Sequence, residues 1–158
     1  MGEILVPSML YRLYWTGRYI ERIDLLVRSL LAAVGRGVDE SRLQALASNL
    51  GVEYRGAVDF LCSLLYDESN PSSILHAAKM IRMNMHGLGA TRALREANLL
   101  VIEAEDRIDC NNFEEVRRHL ENLLYAVNKL GKVIEEDMVT PPTPPEDVLR
   151  EQLLHQQQ

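Results

Sequence analysis

No stretch of the chain approaches the ~20 consecutive apolar residues that a helix needs to cross a bilayer, so no membrane span is expected. Cysteine occurs only at Cys62 and Cys110, too few for a disulfide framework, and neither has a neighbouring Cys or His at metal-ligand spacing. Two buried free thiols are the expectation. Basic charge is in deficit, because 17 Lys and Arg stand against 23 Asp and Glu, a formal charge of −6, and no basic run could neutralise a series of phosphates. Nucleic acid is therefore not an expected partner. The start lacks a basic region followed by an apolar run and a small-residue cleavage site, so no signal peptide is read there and a reducing cytoplasm is the expected compartment. Gly-rich phosphate loops, nucleophile elbows and Cys–His pairs are missing too, and with them any visible motif for catalysis.

What remains suits one compact domain, since 158 residues with 47% hydrophobic and 25% charged side chains can build a core but not two. The expected domain covers residues 1–140, and "TPPTPPED" opens a Pro-rich linker and tail over 141–158. Helical periodicity runs from Ser8, a candidate N-cap, to about Val34, where Gly35 and Gly37 stop it. A short helix follows, with Ser41 and Gln44 spaced as a capping box, and then a third in which Tyr54, Ala57, Val58, Leu61 and Leu65 repeat. Asn70 is the expected cap of a fourth helix, with Pro71 at its first position. Gly87 and Gly89 predict a kink or break before periodicity resumes from Ala90 to about Ile108. The last long helix opens at Asn112 and carries Phe113, Val116, Leu120, Leu123, Val127, Leu130 and Ile134 in alternating steps of three and four. No strand pattern competes, so the fold class is all-α, a helical bundle of five or six helices with long first and last helices.

The first helix is unusual. Leu10, Leu13, Tyr14, Gly17, Ile20 and Leu31 make what reads as its main apolar stripe, yet Glu21, Asp24 and Arg28 fall within about 40° of Leu10 on a helical wheel. Arg18 and Arg22 lie to one flank. A second apolar strip, Trp15, Tyr19, Ile23, Leu26 and Leu30, lies opposite, which places this helix centrally or at a subunit contact. Asp24 and Arg28 can pair along the helix, whereas Glu21 needs a partner from another one. Either these charges form a buried polar network, or they line the edge of a cleft.

"LYWTGRYIERID", read together with "NPSSI" at Asn70 to Ile74, resembles the alpha-E family, named for a predicted α-helical domain with a Glu-Arg motif. The family's first helix usually reads like "LYWMGRYLERAE", matched here at Leu13, Tyr14, Trp15, Gly17, Arg18, Tyr19, Glu21 and Arg22. Of a later run like "ARENAR" this chain keeps Arg82 and Asn84, with Met83 where the pattern has Glu. The resemblance covers roughly Leu10 to Glu105, and the chain looks like the first half of a typical member, which has two related helical halves. It implies that Glu21 contacts Arg82 or Asn84. It also implies a place beside ATP-grasp ligase-like and transglutaminase-like proteins in a peptide-forming or peptide-modifying system, and a homodimer in which each copy stands in for a missing half.

Other constellations are weaker. Glu115 and His119 are four apart, as are Glu151 and His155, which does not match the Glu-x-x-His spacing of di-metal bundles, so no metal and no cofactor are expected. His76 and His86 read as surface or boundary residues, and Met80, Met83 and Met85 as adaptable packing. Ser72 and Ser73 read as first-turn residues of the fourth helix, serving either as caps or as a place for an anion. The functional expectation is a non-catalytic binding or scaffold protein with the cluster of Arg18, Glu21, Arg22, Asp24, Arg28, Asn70, Ser72, Ser73, Arg82 and Asn84 as its site. The alternative is an enzyme using Glu21 as general acid or base, with Arg18, Arg22 or Arg82 holding an anionic substrate.

Overall fold

A computed structural model describes residues 7–139, so the expected linker and tail lie outside the described residues. Six helices follow in order: α1 (Pro7–Val34), α2 (Glu40–Leu50), α3 (Ala57–Tyr66), α4 (Ile74–Leu88), α5 (Thr91–Glu105) and α6 (Phe113–Ile134), the last running into one π-helical turn, Glu135–Val139. The protein is an all-α bundle. No helix among the described residues is long and apolar enough to cross a membrane.

α1 packs on α4 and α6, and α5 also packs on both, so these four helices form a closed ring around the core. α2 and α3 cover one part of it, α2 against α1 and α3 against α4 and α5. The two-residue step between α4 and α5 folds them back as a hairpin. Gly89 makes that step possible, since its φ of 68° is left-handed backbone that a side chain would strain. The break expected at the glycine pair therefore falls at Gly89, while Gly87 stays helical and lets the Arg12 guanidinium of α1 approach its Cα closely.

Several boundaries differ from the sequence expectation, each for a local reason. α1 already includes Pro7, which puts Ser8 inside the helix rather than at its cap. Asp39, not Ser41, caps α2, because the Asp39 amide is held on the Ala33 carbonyl at 2.8 Å and its carboxylate then meets the Arg42 amide at 3.2 Å. Asn70 does not cap α4. Its side-chain oxygen accepts from the Ser72 amide at 2.9 Å and its carbonyl from the Ser73 amide at 2.9 Å, which bends the chain into a turn containing Pro71 before the helix begins. Ser73 is the cap, accepting from the His76 amide at 3.1 Å. Asn112 does cap α6 as its spacing predicts, accepting from the Glu115 amide at 3.2 Å.

The largest correction concerns α1. Its buried residues are Thr16, Ile23, Leu26, Val27, Leu30, Ala33 and Val34, a stripe centred about 150° around the helix from Leu10. Leu10 and Tyr14 are 50% and 57% exposed, and Leu13, Ile20 and Leu31 pack only partly buried at the edge of the core, so the stripe read as the main one is not the face the bundle buries. Burying the opposite strip leaves Glu21 and Arg28 exposed and Asp24 half-exposed, and spares them the cost of full desolvation. The α6 seam behaves as its heptad predicts, with Val116, Leu120, Leu123, Val127, Leu130 and Ile134 buried and Phe113 partly so. It packs inside the bundle, against α1 and α5.

Cys62 of α3 and Cys110 of the loop between α5 and α6 form a disulfide, their Cα atoms 6.0 Å apart. The expectation of two free thiols is overturned. A separation of 48 residues gives no pairing signal in sequence, and only the fold of α3 over the α5–α6 hairpin brings the two together.

Candidate functional site

Two of the segments singled out in sequence meet in one groove. Between α1, α2 and the start of α4 lies a cavity of about 610 Å³, with Leu25, Leu26, Leu46 and Leu50 among its apolar lining and Arg22 and Ser72 among its polar lining. α1 supplies Arg22 one turn before Leu25 and Leu26, and the Asn70 turn carries Pro71, Ser72 and Ser73 to the same place. The Arg22 guanidinium also lies 5.3 Å from the centroid of Tyr19, whose ring meets the edge of His76 at 6.4 Å. Ser73 is fully buried and spends its oxygen as the cap of α4, so capping accounts for it without an anion.

The remaining expected residues do not join this groove. Glu21 is 72% exposed at its side chain and pairs with Arg18 on its own helix, Nη1 to Oε2 3.3 Å, so it is not part of a buried network. Asp24 and Arg28 pair at 3.1 Å, as their spacing predicts, with Arg28 exposed and Asp24 half-buried. Among the described residues no hydrogen bond or ion pair joins Glu21 to Arg82 or Asn84. Arg82 borders a separate depression between α4 and α5 with Lys79, Met83 and His86, and Asn84 is half-buried on α4. The wheel reading failed on phase. A helix apolar on two sides gives no sequence signal for which side the bundle takes.

A second constellation lies where α3, α5 and α6 converge, and no sequence motif pointed to it. Glu103 in the last turn of α5, Asp106 just beyond it and His119 of α6 bring one ligand atom each within 4.8 Å of one another. His119 is 3% exposed, with Nδ1 3.6 Å from Glu103 Oε1, longer than a hydrogen bond, and Nε2 without a hydrogen-bond partner. Burial holds its imidazole below the ordinary value, the Glu103 and Asp106 carboxylates pulling the other way. The Tyr66 hydroxyl donates to the Asp106 carbonyl at 2.7 Å and accepts from the Ile108 amide at 3.0 Å, which fixes the backbone from Asp106 to Ile108. His119 stacks on the same tyrosine, ring centroids 6.1 Å apart, and the Arg107 guanidinium lies 4.3 Å from its centroid. Glu115 Oε2 accepts from the Asp109 amide at 3.2 Å and holds the rest of the loop. Same-helix spacings hid the cluster, because its members come from opposite arms of the α5–α6 hairpin. A histidine beside Leu120 on the buried face of α6 was the available signal.

Set against family models, curated proteins and solved structures, the chain gives no match in any of the three comparisons.

Proposed function

We propose that the protein is a non-catalytic helical binding module whose ligand is an apolar peptide segment ending in a carboxylate, received in the groove between α1, α2 and the start of α4. The observation that carries this reading is the composition of the groove, with leucines from two helices in its lining and one arginine, Arg22, available to an anionic group. Through the alpha-E resemblance, the partner belongs to a peptide-forming or peptide-modifying system and is an ATP-grasp ligase-like or transglutaminase-like protein. Glu21 does not line the groove, so the alternative of acid–base catalysis by Glu21 finds no support in its position. The module works as a homodimer, as argued below. A cytoplasmic location, expected from sequence, would require the Cys62–Cys110 disulfide to form against a reducing pool.

Titrating the isotope-labelled chain with short leucine-rich peptides tests the groove. Amide shifts should cluster at Leu25, Leu46, Leu50 and Ser72, and should weaken at least tenfold when the peptide is amidated or Arg22 is replaced by Gln. Equal binding of the free acid and the amide, or no shifts at these positions, would overturn it.

A further inference from the structure

We propose that Glu103, Asp106 and His119 form a binding site for a divalent transition-metal ion of the Zn²⁺ class, held by one imidazole nitrogen and two carboxylate oxygens. The site shares no residue with the groove of α1, α2 and α4 and does not depend on its function.

Two independent observations carry the assignment. The first is convergence: three donor atoms lie within 4.8 Å of one another, and a tetrahedral metal at about 2.0–2.2 Å from each needs them about 3.4 Å apart, an approach of about 1 Å at the wider separations. Glu103 is half-buried and Asp106 exposed, so their carboxylates can make that adjustment by rotating side chains. The second is the state of His119. A buried imidazole normally satisfies its nitrogens, yet Nε2 has no partner and Nδ1, the nitrogen facing Glu103, stands too far from it to bond. A metal at Nδ1 would take the nitrogen that faces the Glu103 carboxylate, with the ring proton carried on Nε2.

The donor set fixes the class of ion. Mg²⁺ and Ca²⁺ favour all-oxygen shells, whereas an imidazole favours borderline ions such as Zn²⁺. Two carboxylates match its charge, and Asp109 and Glu115, which border the same depression, offset the positive charge of Arg107 and Arg118 there. With three protein donors, a tetrahedral ion keeps a fourth position open, and a cavity of about 550 Å³ adjoins Asp106 and His119. Tyr66 acts as a positioning residue by fixing the Asp106 backbone. The disulfide removes both thiols as competing ligands.

The test uses the oxidised full chain, stripped with a chelator and titrated with Zn²⁺ alone by calorimetry, with Co²⁺ as a spectroscopic probe. One Zn²⁺ should bind per chain with Kd on the order of micromolar or tighter, weakened at least tenfold in Glu103→Gln, in Asp106→Asn and in His119→Gln. The ligand-field bands of bound Co²⁺ should disappear in the same variants. Glu103→Gln and Asp106→Asn change carboxylates that reach solvent, so they report on binding even where His119→Gln impairs folding. No saturable binding, unchanged affinity in the two carboxylate variants, or equal competition by Mg²⁺ would overturn the proposal.

Discussion

Cys62 and Cys110 join α3 to the loop that carries Asp106 and leads into α6, closing 48 residues of chain into a covalent loop. A cross-link of that span lowers the entropy of the unfolded chain by an amount equivalent to about 4 kcal/mol in the loop-closure model. Replacing both cysteines by serine, or adding a reductant, should therefore destabilise the protein by about 2–4 kcal/mol in urea melts. A melt that does not respond to reductant would mean that the bond does not form in solution, as would two free thiols by thiol titration.

Tyr66 and Asp106 define a second test. Tyr66→Phe leaves the Asp106 carbonyl and the Ile108 amide without their partner, at a cost of about 1–3 kcal/mol. Burial also raises the Tyr66 hydroxyl above its ordinary value of 10.0. A group raised in the folded state stabilises fully below its unfolded value and loses that contribution as pH rises through the folded one. Stability should thus fall above pH 10.0, with a shallower decline in Tyr66→Phe. Parallel alkaline melts of the two proteins would refute this coupling.

Elements with one apolar face were legible in the sequence, and elements with two were not. The α6 seam from Phe113 to Ile134 has a single apolar side, so its period fixed both the helix and the face it buries. Capping was legible where one polar side chain had one amide to meet, as at Asn112. It was misread at Asn70, where a turn competed for the same side chain. α1 offered two apolar faces, and the choice between them depended on α4 and α6. The site suffered accordingly. Arg22, Ser72 and Ser73 do line one groove, Glu21 lies outside it, and the meeting of Glu103, Asp106 and His119 required the α5–α6 hairpin itself.

The α6 seam gives a quantitative contrast. Leu123 is fully buried, so Leu123→Ala should cost about 2–5 kcal/mol by removing packed methyl groups. Leu99, on α5, is 45% exposed, and its replacement by Ala should cost less than about 1 kcal/mol. Chemical denaturation of the two variants measures both, and equal losses would contradict the assigned faces.

Glu21→Ala separates the two readings of α1 directly. A buried, paired Glu21 would strand a charge on removal and cost about 2–4 kcal/mol. An exposed Glu21 paired only with Arg18 should cost about 0.5 kcal/mol or less. Thermal melts at neutral pH should give the small value. A loss above about 2 kcal/mol would return Glu21 to the interior.

The outward face of α1 leads to the last prediction. The strip first expected to seat a second copy, Trp15 to Leu30, is largely spent on the core, since Ile23, Leu26 and Leu30 are buried. Leu10, Tyr11 and Tyr14 remain exposed on the same helix outside the groove, with Tyr11 and Tyr14 both edge-on to Trp15 at 6.2 and 5.5 Å. A row of large apolar side chains along one helix is an uneconomical surface for a monomer. A two-fold axis across α1 would set the row of one copy against that of its partner, and Arg18, Glu21, Asp24 and Arg28 would lie near the seam as charges of both signs. Light scattering at micromolar concentration should give about twice the chain mass of 18.0 kDa. Tyr11→Glu and Tyr14→Glu should each reduce it to one chain while circular dichroism stays helical, because neither side chain supports the core or lines the groove. A single-chain mass for the unsubstituted protein would defeat the dimer, and a dimer that survives both substitutions would move its interface off α1.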